Sequence, residues 1–173
     1  MNAAPPIFCN AGPLMALGKL NRLDLLADLY ASVQIPEVVY TEVVVDGLAR
    51  GEADAASVRA FWRQQQWPII SVQEVVLKAY QPLATLGGGE RAVLALALAT
   101  PGALALLDDA LARREARRIQ VQSYGTLGIM VRAQQAGILS RPQLVRLLQD
   151  IASRPDIWIS PALCQKIIAT LSP

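Results

Sequence analysis

The stretch GALALLDDALARREARR, residues 102–118, decides the fold. A short apolar run, residues 103–107, ends in two adjacent aspartates, Asp108 and Asp109, and an amphipathic basic segment follows. An unbroken run of this length after a Pro-Gly turn reads as a buried strand, and DALARREARR reads as a helix. A polar group at the end of a buried strand marks the edge of a parallel sheet where ligands bind. Asp108 and Asp109 therefore have two readings: one caps the helix that follows, or the pair gathers negative charge for a cation.

Outward from this stretch the same alternation continues. Residues 6–10, PIFCN, read as a buried strand ending at Asn10. Leu14, Leu17, Leu20, Leu23 and Leu26 repeat at helical spacing, as one or two helices. Residues 33–36 read as a strand. PEVVYTEVVVDGLARG reads as a helix that Pro36 opens and Gly47 or Gly51 closes. Residues 53–67 read as an amphipathic helix and 68–72 as a strand. Gly87, Gly88 and Gly89 read as a loop before the helical ERAVLALALA. Residues 119–123 read as a last strand, followed by helices from Gly125, from Arg141 and from Pro161. This order predicts an α/β fold, a three-layer α/β/α sandwich with a central, mostly parallel sheet. The length of 173 residues suits one domain, 1–173.

Composition narrows the chemistry. Hydrophobic residues make up 53% of the chain, enough for a sizeable core. The most apolar window is broken by Pro101 and Gly102, short of the roughly 18–20 residues a membrane span needs. The first residues lack a signal-peptide pattern, so we expect a cytoplasmic protein that does not enter the membrane. Cys9 and Cys164 read as reduced thiols. Net charge is only +2, so any nucleic-acid contact must be local. The absence of histidine excludes Ser-His-Asp and Cys-His nucleophilic sites and His-ligated zinc. Carboxylates and hard cations remain.

The candidate carboxylates besides the pair are Glu90, opening the helix after the glycine run, and Glu42, set among Val38, Val39, Val43 and Val44. Each also has a structural reading, as a first-turn acid or a solvent-facing position. Asp46 lies one turn beyond Glu42. Asn10 is a turn former or helix cap, or a neutral oxygen ligand. The glycine run lacks the Lys-Ser/Thr of a phosphate-binding loop. Arg113 and Arg117, and Arg114 and Arg118, are one turn apart and make two rows of guanidinium groups, either a solvated face or an RNA contact. Thr126 reads as a helix cap or a residue lining the site. Met15, Met130, Trp62, Trp67 and Trp158 read as core or interface.

Five segments carry a resemblance in order: IFCNAGPLMALGKLNRLDLLADLY, VQIPEVVYTEV, LGGGERAVLALAL, ALLDDALARREA and GTLGIMVRAQQAGIL. Together they resemble the PIN-domain family, in its short prokaryotic branch with the VapC-type toxins. The resemblance implies a Mg²⁺- or Mn²⁺-dependent endoribonuclease, often the toxin that pairs with an antitoxin protein, and allows a homodimer. It implies that Glu42, Glu90 and Asp108 or Asp109 hold the metal, with Asn10 where the family usually has aspartate; the basic helix itself puts Arg113, Arg114 and Arg117 toward RNA. Asparagine brings no charge, so lower metal affinity follows. Two rivals are a PIN-like module that binds RNA or protein without cutting, and a phosphotransfer fold built on the paired acids.

Overall fold

A computed structural model of the chain describes residues 5–171; the two ends of the expected 1–173 domain lie outside the described residues. Three strands, β1 (Ile7–Cys9), β4 (Leu104–Leu106) and β5 (Gln122–Tyr124), form a parallel sheet in the order β1-β4-β5. The register sets Cys9 beside Leu106 and Leu106 beside Tyr124. A second parallel pair, β2 (Ile35–Pro36) and β3 (Ile69–Ile70), joins the free edge of β1. There Gln34 N donates to Ile7 O at 2.8 Å and Cys9 N donates to Gln34 O at 3.0 Å. The join is brief because Pro36 has no N–H to extend a ladder. The overall order is β3-β2-β1-β4-β5.

Helices cover the strands. Between β1 and β2 run α1 (Ala11–Lys19) and α2 (Asp24–Leu29), separated at Asn21, whose φ is 54°. After β2, α3 (Glu37–Tyr40), a π-helical segment Thr41–Asp46 and α4 (Gly47–Ala49) lead to α5 (Ala53–Gln65). Between β3 and β4 lie α6 (Glu74–Ala79) and α7 (Gly88–Ala99). Then come α8 (Ala110–Arg118), α9 (Thr126–Gln135), α10 (Arg141–Ser153) and α11 (Pro161–Leu171). Helix α7 lies against β1, β2 and β4, whereas α1 packs with α5 and α9. Right-handed crossovers put helices that lead toward β3 and helices that lead toward β5 on opposite faces. The result is the three-layer α/β/α arrangement. All residues of β1 and β4 are buried, as a sheet covered on both faces requires.

The strands read at 33–36 and 68–72 shorten to Ile35–Pro36 and Ile69–Ile70, and two other boundaries shift for a visible reason. The last strand begins at Gln122, not at residue 119, because α8 continues to Arg118 and a left-handed Gln120 (φ 58°) turns the chain first. Gly88 and Gly89 are the first residues of α7, not a loop. Helix α6 carries no fully buried residue; Val76 and Leu77 pack partly buried against the core. Trp62 and Trp67 pack edge to face in the core, with ring centroids 5.3 Å apart, whereas Trp158 is 95% exposed. Both cysteines are buried free thiols. No helix among the described residues is long and apolar enough to cross a membrane.

Candidate functional site at the carboxyl ends of β1 and β4

The strand order places a switch point between β1 and β4. From β1 the chain first crosses toward β3; from β4 it crosses the other way, to β5. Chain directions diverge there, and the crevice beyond the strand ends is where open parallel sheets bind ligands. The two residues that follow these strands are Asn10 directly after β1 and, after Leu107, Asp108. Asn10 N donates to Leu106 O at 3.0 Å, which holds the two strand ends together.

Asn10 is 3% exposed. Its Nδ2 donates to Glu90 Oε1 at 2.7 Å, bridging the end of β1 to the first turn of α7. Its Oδ1 is buried, and no described residue donates to it. This contact explains the glycines before Glu90. A Cβ on Gly89 would lie 2.5 Å from Asn10 Oδ1 and 3.2 Å from Val39 Cγ2. A Cβ on Gly87 would fall on Glu90 Oε2. The glycine run is therefore not a phosphate loop; its missing side chains make room for Asn10 and for the folded-back carboxylate of Glu90.

Asp108 is held by the start of α9. Thr126 N donates to Asp108 Oδ1 at 2.7 Å and Thr126 Oγ1 donates to Asp108 Oδ2 at 2.6 Å. Thr126 is fully buried. It thus does not cap its own helix; it orients a carboxylate from the neighbouring strand. Burial pushes the Asp108 carboxyl above its usual pKa, and the two Thr126 bonds and the charge of Arg113 oppose that rise. Asp109 faces elsewhere. It is the exposed N-cap of α8, its Oδ1 accepting from Ala112 N at 2.7 Å. The capping reading of the aspartate pair therefore falls to Asp109, while Asp108 bonds to α9.

Glu42 sits in the π-helical segment. The wide turn lets Val39 and Val44, five residues apart, both be buried. Glu42 reaches solvent, yet desolvation by the surrounding protein, and then the charge of Glu90, raise its pKa. Its neighbourhood to Glu90 brings a third acid toward the crevice. Asp46 also lies near Glu42 and adds to that rise. Even so, among the described residues no three acidic or cysteine side chains lie close enough together to hold a metal ion by themselves.

The basic helix is not two free rows. Arg113 turns back, its Nη1 donating to Leu107 O at 3.3 Å and to Asp108 O. It ties the end of β4. Arg118 is bound to Glu115, with Nη2 at 2.6 Å and Nε at 2.9 Å from Oε1, and donates to Gln81 O at 3.2 Å. Glu115, 4% exposed, also accepts from Leu83 N at 3.0 Å, so the pair anchors the segment leading to α7. Its only sequence signal is the spacing of three from Arg118. Arg114 and Arg117 are exposed, with no ion pair to a described residue. At 1.5 Å per residue, Arg117 stands roughly 12 Å along α8 from Asp109.

The donor set is oxygen only, which suits a hard cation and not zinc. The buried Asn10 Oδ1, without a donor among the described residues, is a further oxygen beside Glu90. In comparisons with known proteins, a family model described as a PIN domain matches residues 6–173. No curated protein matches the chain.

Proposed function

The chain belongs to the PIN-domain family, a nuclease-type fold, and from that premise we propose that it is a divalent-metal-dependent endoribonuclease acting at the crevice between β1 and β4. The observation that carries this reading is the Asn10–Glu90 bond at the end of β1, with Asp108 following the adjacent strand β4 and the buried Asn10 Oδ1 left without a donor among the described residues. Glu90 and Asp108 would hold Mg²⁺ or Mn²⁺, with Asn10 Oδ1 as a neutral oxygen and Glu42 at the rim; Asp109 is committed to α8. When bound, such a cation supplies a water of lowered pKa and offsets charge on a phosphoryl oxygen. Asn10 keeps Glu90 in place, and Thr126 keeps Asp108 in place. Arg114 and Arg117 offer phosphate contacts along the strand of RNA. The toxin role, with an antitoxin protein covering the crevice, and a cytoplasmic location follow the family resemblance. A homodimer would cover exposed apolar residues such as Val75 and Leu98.

The test is cleavage of a panel of single-stranded and structured RNAs in Mg²⁺ or Mn²⁺ by wild type, Glu90→Gln and Asp108→Asn. Glutamine still accepts from Asn10, so the change removes charge and little else. We expect cleavage by wild type and loss of it in both variants and in EDTA. Cleavage that survives in both variants rejects the site. A second reading is favoured by one feature, the Asn10 amide in place of a carboxylate: the fold binds RNA without cutting it. RNA binding by a wild type that cleaves nothing would establish that reading.

A further inference from the structure

We infer that this protein acquires its divalent cation together with RNA, and that the free protein holds none tightly; the inference rests on the ribonuclease reading. Carboxylates gathered without hydrogen-bond donors repel one another and depend on a cation to stay together. Here each acid of the crevice floor already has a protein donor. Glu90 accepts from Asn10, and Asp108 accepts twice from Thr126. Asp109 accepts from Ala112 and faces α8. The arrangement is therefore set by hydrogen bonds before any ion arrives.

It is also poor in charge. The Asn10–Glu90 pair carries one negative charge where two carboxylates would carry two. Arg113, whose Nη1 donates to the Asp108 carbonyl, brings a positive charge beside the other acid and offsets part of it. No three acidic or cysteine side chains among the described residues make a cage. Mg²⁺ is commonly held by one or two carboxylates together with substrate phosphates, keeping several waters. A phosphodiester in the crevice supplies the missing anionic oxygens. Ion and RNA then bind cooperatively, and Asn10 is the residue that sets this dependence.

The test is Mn²⁺ titration of the full chain by calorimetry and by Mn²⁺ electron paramagnetic resonance. It is run free and with a phosphorothioate copy of the panel RNA that the wild type cleaves fastest. We expect no saturation below the millimolar range without RNA, and affinity raised roughly tenfold or more with it. By linkage, Mn²⁺ must raise RNA affinity by the same factor. Asn10→Asp should tighten Mn²⁺ binding to the RNA-free protein by about tenfold or more and weaken the dependence on RNA. Micromolar Mn²⁺ binding by free wild type, unchanged by RNA, overturns the inference while cleavage stands. RNA that binds without changing Mn²⁺ affinity also overturns it. RNA that neither binds nor is cleaved removes the ribonuclease reading itself. Should Asn10→Asp fail to fold, the wild-type linkage decides alone.

Discussion

Thr126→Val isolates what holds Asp108. Thr126 is fully buried, and valine has nearly its shape. The change removes the Oγ1 bond to Asp108 Oδ2 and leaves the backbone bond to Oδ1. A hydrogen bond to a charged group contributes about 1.5–3 kcal/mol, and the extra buried methyl returns about 0.8 kcal/mol. The net loss near neutral pH is about 1–2 kcal/mol, or a drop of about 2–8 °C in Tm for a chain of this size. The loss must depend on pH. Burial raises the Asp108 pKa in the folded state, and the Thr126 bonds oppose that rise. Removing one raises it further. A carboxyl whose folded pKa lies above its unfolded value binds protons more readily when folded, so stability falls as pH rises through that interval. The deficit of Thr126→Val is therefore full above the variant's folded pKa. It shrinks as pH falls toward the ordinary carboxylate range, where the bond lost is between neutral groups. Thermal melts of both proteins in EDTA, from about pH 8 to about pH 5, measure this. The Asp108→Asn background should abolish the pH dependence. Equal Tm at neutral pH, or a deficit constant across the range, would refute the reasoning.

Two further predictions separate the remaining acids. Asp109→Ala removes the cap of α8 and should cost about 0.5–2 kcal/mol, while RNA cleavage persists; loss of cleavage at unchanged stability would make Asp109 a metal ligand instead. Gly87→Ala is acceptable to the backbone, whose φ is −64° and ψ 163°, but the new methyl displaces Glu90 Oε2. Breaking the Asn10–Glu90 bond should cost about 1–3 kcal/mol and reduce cleavage as Glu90→Gln does. A crystal structure of Gly87→Ala with Glu90 unmoved and activity intact would count against the lock.

The order of elements is legible because Ile7–Cys9 and Leu104–Leu106 are apolar, bounded by proline, glycine and polar residues, and buried on both faces. Boundaries are less legible where one pattern serves two purposes. Ile119 and Val121 look like strand residues, but the α8 terminus and the left-handed turn at Gln120 claim them. The glycine run looks like a loop because its reason is spatial: Asn10, far away in sequence, needs the room at Gly89. The candidate site residues Asn10, Glu90 and Asp108 are legible as polar groups at strand ends and at a helix start. Their partners are not. Helix spacing gives the face on which Arg113 and Arg118 lie, but not that one returns to the carbonyls of β4 and the other to Glu115.

The same distinction explains how two carboxylates sit side by side without strain. Asp109 has extended backbone, φ −65° and ψ 132°, and in extended chain successive side chains point to opposite sides. Asp109 turns to α8 and compensates the partial positive charge of that helix start. Asp108 turns to α9, whose first N–H and threonine hydroxyl receive it. Each aspartate thus meets the start of a different helix, and the adjacent charges are separated by what each one binds. Because Asp109 satisfies α8, Asp108 is left to Thr126, which orients it. The pair is a junction device: Asp109 begins α8, and Asp108 is thereby free to meet the start of α9.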